Sequence, residues 1–130
     1  MATAVAHAKN LSIAPRKVRL VADLIRGKKV PEARAILEYT LKRSALPLRK
    51  LLDSAVANAE NAAAEKHDRL DTDEMVVALI TVDQGLTLKR WRAMPRGRGV
   101  RIRKRRSHVS IRISGGERAP KASAKAKTKE

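Results

Sequence analysis

The chain has 130 residues with 30 Lys or Arg against 13 Asp or Glu, a formal net charge of +17, which is about one domain's length and excludes the near-neutral surface of an ordinary small-molecule enzyme. There is no Cys, so a disulfide framework and thiolate metal sites are excluded. No run approaches the ~20 apolar residues of a bilayer span, and Lys9 and Asn10 interrupt the weakly apolar start before a secretory core develops, so the expected compartment is the cytoplasm, with no membrane partner.

Residues Thr3–Asn10 carry no decisive periodicity and fit an edge strand. From Pro15, Val18, Val21, Ala22 and Ile25 recur at the helical period, with Arg16, Lys17, Arg19 and Arg26 largely off that stripe. Pro15 suits a first helical position and Gly27 the left-handed closing position, while Ala14 is a poor cap. A second helix starts at Pro31, with Glu32 at the positive end of its dipole; it places Ala33, Ile36, Leu37, Thr40 and Leu41 inward and closes at Lys42–Ser44. A third runs from about Ala45 to Ala64 on a stripe of Leu48, Leu51, Leu52, Ala55, Ala59 and Ala62, with Pro47 tolerated in its first turn. Glu65–Asp73 reads as a polar loop. Met75–Val82 (M-V-V-A-L-I-T-V) is apolar on both alternating faces, as in a central strand covered on both sides, although a short buried helix has the same signature. Asp83-Gln84-Gly85 ends it. Val109, Ile111 and Ile113 alternate with Ser110 and Arg112, a strand. Because 21 residues of the hydrophobic class are Ala, with no Phe, one Trp and one Tyr, the core is small.

Leu88–His108 lies between these strands. Its turn formers Pro95, Gly97 and Gly99 are flanked by extended formers mixed with Arg, predicting one long β-hairpin. About ten residues per arm at ~3.3 Å each would carry it roughly 30 Å from the globular part. A lone two-stranded ribbon is marginal in water, so this one is expected to need an outside partner for order. Charge follows the same division: residues 1–50 hold 12 basic and 3 acidic groups, 51–84 hold 2 and 8, and 85–113 hold 11 and 0. An acid-free block repels itself unless a polyanion or salt screens it, which points to nucleic acid or an anionic membrane. The expected division is a globular part, 1–86 with 107–114, the hairpin 87–108, and a basic disordered tail, 115–130.

No catalytic constellation is visible and no cofactor is implied. His7, His67 and His108 fall in separate segments without ligand spacing, so no metal site is expected. Glu60, Glu65, Asp68, Asp71, Asp73 and Glu74 fit a solvated helix face and a loop turned from an anionic partner. Pro95–Gly99 lacks the Gly-Lys-Ser/Thr that a phosphate-cradling loop requires. The chemistry present is phosphate binding. The block holds nine Arg to two Lys, and the planar Arg fork grips phosphate bidentately and stacks on bases. Lys89, Arg90, Arg92, Arg96, Arg98, Arg101, Arg103, Lys104, Arg105 and Arg106 are the candidate phosphate contacts in the hairpin. Trp91 either stacks on a base, for ~1–3 kcal/mol, or packs on the domain at the hairpin base.

Several motifs in one order and spacing carry a resemblance: Pro15-Arg16-Lys17-Val18-Arg19-Leu20-Val21 through Ile25-Arg26-Gly27-Lys28, Ser54-Ala55-x-x-Asn58-Ala59, Val82-Asp83-x-Gly85, Lys89-Arg90, Gly97-Arg98, and Arg101-Ile102-x-Lys104-Arg105-x-Ser107-His108. From about Leu11 to Ile113 the chain closely resembles the bacterial large-subunit ribosomal protein twenty-two family. The resemblance implies an α/β fold of α+β type, with three helices packed on a small three-stranded antiparallel sheet and a long protruding β-hairpin. It implies a structural, non-enzymatic constituent of the large ribosomal subunit that binds several domains of 23S rRNA, assists early assembly, contacts neighbouring ribosomal proteins and acts without homo-oligomerising. It also extends the RNA-contacting set to Arg16, Lys17, Arg19, Arg26, Lys28, Ser107 and His108. The hairpin tip, Ala93, Met94, Pro95, Arg96 and Gly97, is then expected to line the exit tunnel beside the nascent peptide. The chain departs from the family's usual pattern in two places: Arg92-Ala93-Met94-Pro95 replaces Arg-Pro-Arg-Ala, and Ala14 replaces the Ser before Pro15. A reading of another class is a DNA-architectural protein inserting Pro95-tipped arms into a minor groove, which requires a symmetric dimer. An RNA-modifying enzyme is disfavoured, for no nucleophile, base or cofactor loop is visible.

Overall fold

A computed structural model of the chain describes residues 3–66 and 71–115. The tail expected to be disordered falls, from residue 116 on, outside the described residues, as does His67. The elements run β1 (Thr3–Leu11), α1 (Pro15–Ile25), α2 (Val30–Tyr39), α3 (Ala45–Lys66), a 3-10 turn at Thr72–Glu74, β2 (Val76–Met94) and β3 (Arg98–Ser114). The sheet is antiparallel in the order β1-β3-β2, and the helices cover one face of it. This is the α+β architecture the sequence implies.

Each helix forms as its pattern dictates. In α1 the expected stripe Val18, Val21, Ala22 and Ile25 is fully buried. Pro15 opens the helix with no side-chain cap from Ala14. Gly27, at φ +74°, turns the chain so that its N–H donates to Val77 O at 3.0 Å. Left-handed backbone costs an L residue about 1–2 kcal/mol, which explains a glycine there. In α2, Ala33 and Leu37 are buried, but Leu41 lies outside the helix and is fully exposed, contrary to the inward position its spacing implies. Thr40 keeps the last helical bond, its backbone N–H and its hydroxyl both donating to Ile36 O, but its own backbone is extended (ψ 114°), and this carries Leu41 off the helix. In α3, Ala62 is only half-buried, and Val56 and Ala63 are buried in addition to the expected stripe. The run Ala55, Ala59, Ala63 in steps of four follows the helix face more closely than Ala62 does, and its small side chains bring α3 close to β1.

Two expectations about the sheet are overturned. The apolar run Met75–Val82 belongs to an edge strand, with Leu79 half exposed on the open face, and β3 occupies the centre. The run is continuous because β2 carries one extra residue between Val77 and Leu79. That bulge changes which parity faces the helices, so Val77, Ile80 and Val82 all point inward. Nor does Asp83-Gln84-Gly85 end the strand: β2 continues to Met94 through a second bulge between Gln84 and Thr87.

Candidate nucleic-acid interface

Beyond Ser107, the last β3 residue paired with β1, only β2 and β3 continue, paired from Thr87↔Arg105 to Met94↔Arg98. Eight residues at ~3.3 Å each give a ribbon of roughly 26 Å. Residues directly opposite in an antiparallel pair share a face, so the register sorts every side chain of the ribbon. Arg101, Arg103 and Arg105 continue the inward parity of Val109, Ile111 and Ile113, and stand opposite Trp91, Lys89 and Thr87. The second bulge sets this partnership: without its extra residue, Leu88 and Arg90 would occupy that face. With Gln84, these residues except Trp91 line an open cleft of about 340 Å³. The other face carries Leu88↔Lys104, Arg90↔Ile102, Arg92↔Val100 and Met94↔Arg98. Among the described residues, no hairpin cation takes part in any of the four ion pairs, which all lie among the helices and the α1–α2 turn.

Trp91 sits three residues before Met94, well away from the hairpin base, and is 68% exposed. Its ring contacts its own ribbon: it covers Gly99, where an added Cβ would stand 3.5 Å from Cε3, and the Arg101 guanidinium lies 5.2 Å from the ring centroid. An aromatic over a cross-strand glycine stiffens a ribbon, and cation–π contact ties Arg101 to the ring. Packing against the globular part is therefore not the role of this tryptophan. At the tip, Pro95, Arg96 and Gly97 form the turn, with Arg96 at φ 62° and Gly97 at φ 69°; Gly99 belongs to β3, paired with Ala93.

At the root, Arg105 shares a groove with Arg16, Lys17 and Leu20 of α1. A second groove joins Lys17 and Leu20 to Lys42 and Arg43 in the α2–α3 turn. The basic surface thus runs from the hairpin round the start of α1. Lys42 and Arg43 were not among the sequence candidates, because their positions read as a helix terminus; only the fold brings them beside Lys17. Other candidates carry internal duties. Arg19 donates from Nε and Nη2 to Val82 O at 3.2 and 2.9 Å, Arg26 donates to Ile80 O and pairs with Asp23, and Lys28 pairs with Glu32. Ser107 is fully buried and its hydroxyl donates to Ile13 O at 3.0 Å, so it anchors the β1–α1 loop and does not face a partner. The half-buried His108 accepts from the Asn10 N–H at 3.1 Å through Nδ1, and sits at the β1 bulge where Asn10 adopts φ 58°. Among the described residues no three His, Asp or Glu side chains gather as metal ligands would, and no helix is long and apolar enough to cross a membrane.

The profile of the family described as ribosomal protein L22p/L17e matches residues 6–114. The chain belongs to this family. It is similar to proteins named large ribosomal subunit protein uL22: 49% identical to that of Rubrobacter xylanophilus over 88% of this chain and 87% of the relative. Identity is 42% to that of Bifidobacterium longum over 88% and 96%, and 47% to that of Oceanobacillus iheyensis over 84% and 92%. The family is structural and ribosomal, not enzymatic. Its match ends on Ser114, the last residue of β3, so it includes the whole hairpin, the three helices and all of the sheet but the first three residues of β1.

Proposed function

We propose that this chain is a constituent of the large ribosomal subunit that binds 23S rRNA through the hairpin and the surface at its root, assists assembly, and presents Ala93–Gly97 to the exit tunnel and the peptide within it. The observation that carries this reading is an acid-free two-stranded ribbon whose ten cations, from Lys89 to Arg106, have no internal ion-pair partner among the described residues. Such a ribbon has no globular surface to pack on, and a partner dense in phosphate neutralises it from every side. Phosphate contacts fix position, and the grooves and junctions of folded RNA select the site by shape. Within the contact set, the side chains of Arg16, Lys17, Arg98, Arg103, Lys104 and Arg105 have no internal polar partner among the described residues and Arg101 rests on the Trp91 ring, whereas Arg19, Arg26 and Lys28 are shared with the fold.

The test is binding of the full chain to 23S rRNA with duplex DNA as competitor, together with cosedimentation with large subunits through a high-salt wash. Retention in the wash and preference for rRNA are expected. Equal competition by duplex DNA would favour the architectural reading. With a Met94→Cys chain carrying a tethered cleavage reagent, strand scission is expected in rRNA at the tunnel wall; scission confined to the subunit exterior rejects the tunnel placement.

A further inference from the structure

The two faces of the ribbon differ in kind. On the face continuous with the core, Lys89, Arg101, Arg103 and Arg105 surround the open cleft, and Trp91 is the one large apolar group. On the opposite face each cross-strand pair joins one apolar residue to one cation, and the apolar member changes strand twice: Leu88 on β2, then Ile102 and Val100 on β3, then Met94 on β2. These four are diagonal or next-but-one neighbours, within reach of one another. They form a stripe along the ribbon flanked by Lys104, Arg90, Arg92 and Arg98. Leu88 and Ile102 are half-buried, but Val100 and Met94 are 45% and 43% exposed, and among the described residues no layer covers them.

We infer that the hairpin reads RNA differently on its two sides: the cleft face grips phosphodiester oxygens, and the striped face seats Leu88, Ile102 and Val100 on bases and riboses, with its cations on the phosphates alongside, the stripe ending at Met94 of the tip. Charge complementarity decides the occupant. A partner covering the stripe must supply apolar surface and, within one side chain's reach on both flanks, negative charge for four cations. A nucleic-acid strand has that alternation built in, and the cationic opposite face already calls for the same polyanion. This inference rests on the rRNA-binding reading above.

The two contacts respond differently to salt, because releasing counterions from phosphates sets the log–log slope while apolar contact leaves it unchanged. In a titration of the full chain with 23S rRNA, Arg101→Gln and Arg103→Gln should each flatten the slope by ~0.7–0.9. Val100→Thr and Ile102→Thr keep the β-branched shape and strand preference; they should weaken binding by roughly 3–10-fold at every salt concentration with the wild-type slope. Circular dichroism and thermal midpoints matching wild type establish that the threonine chains are folded. Wild-type affinity in them, as a protein occupant of the stripe would give, overturns the inference, and so does a slope that falls as it does in the glutamine variants. Failure of the unmodified chain to bind 23S rRNA would instead remove the functional reading beneath it.

Discussion

A Cβ on Gly85 would stand 3.2 Å from the carbonyl carbon and oxygen of Arg106 and 3.2 Å from His108 Nε2, closer than side-chain carbons normally approach backbone. Gly85 lies at the β2 bulge that decides which residues share the cleft face, so the missing side chain lets two strands stay paired while one carries an extra residue. Gly85→Ala should destabilise the protein by about 1–3 kcal/mol, as overpacking does, and lower the thermal midpoint by at least roughly 4–8 °C; an unchanged midpoint would mean that β3 yields freely there. Gly97 offers the contrast. Nothing lies within 4 Å of its would-be Cβ, but φ is +69°, so Gly97→Ala strains the tip while the midpoint of the helix-covered part stays put. Arg96 holds a left-handed conformation with a full side chain, at a cost of about 1–2 kcal/mol, which marks the tip as shaped for something other than its own stability.

At the scale of elements, both edges of the sheet are closed by side chains from the helices. On β1, Asn58 Nδ2 of α3 donates to Val5 O at 3.0 Å. On β2, Arg19 of α1 and Arg26, the residue after its end, donate to Val82 O and Ile80 O, and the turn after α1 adds a short bridge at Lys29↔Val76. Open edges invite pairing with other chains, so these polar side chains keep the sheet at three strands. Arg19→Ala should lower unfolding stability by about 1–2 kcal/mol in urea while leaving the salt slope of RNA binding at its wild-type value. Unchanged stability with a flattened slope would make Arg19 a phosphate ligand instead. The same elements show what could be read in advance. In α1, stripe, proline and glycine agree, and the alternation of Val109, Ile111 and Ile113 has a single interpretation. The two β2 bulges were hidden because an inserted residue changes the facing of all that follows without changing composition. Leu41 falls outside the helix because Thr40 leaves it in an extended backbone, a change that the apolar spacing does not mark. For the site, the cations themselves were plain in the sequence. Their division between two faces was not, since it depends on register with another strand.

For the whole molecule, β2 and β3 separate opposite charges along one axis. Asp71, Asp73 and Glu74 sit beside the start of β2, where Val76 pairs with Ser114, and the cations occupy its far end, where Met94 pairs with Arg98. The same two strands are therefore held very differently along their length. Around Ile111 they lie in a three-stranded sheet under helices, with Ile80, Ile111 and Ile113 at 2% exposure or less; from Arg105 toward the tip they have, among the described residues, neither a third strand nor a covering layer. Local opening free energies range from near zero to the global value according to such support, and cations spaced ~6.6 Å along each face of a strand repel one another. In the free protein, hydrogen-bonded amides among residues 99–104 should exchange with solvent at least ~100-fold faster than those among residues 109–113. Raising salt from 0.1 to 1 M shortens the screening length from ~10 to ~3 Å and should narrow that gap; an rRNA fragment carrying the binding site should close most of it. Equal protection of both segments at low salt would show that the ribbon is stable by itself, and the idea that RNA supplies its missing layer would fail.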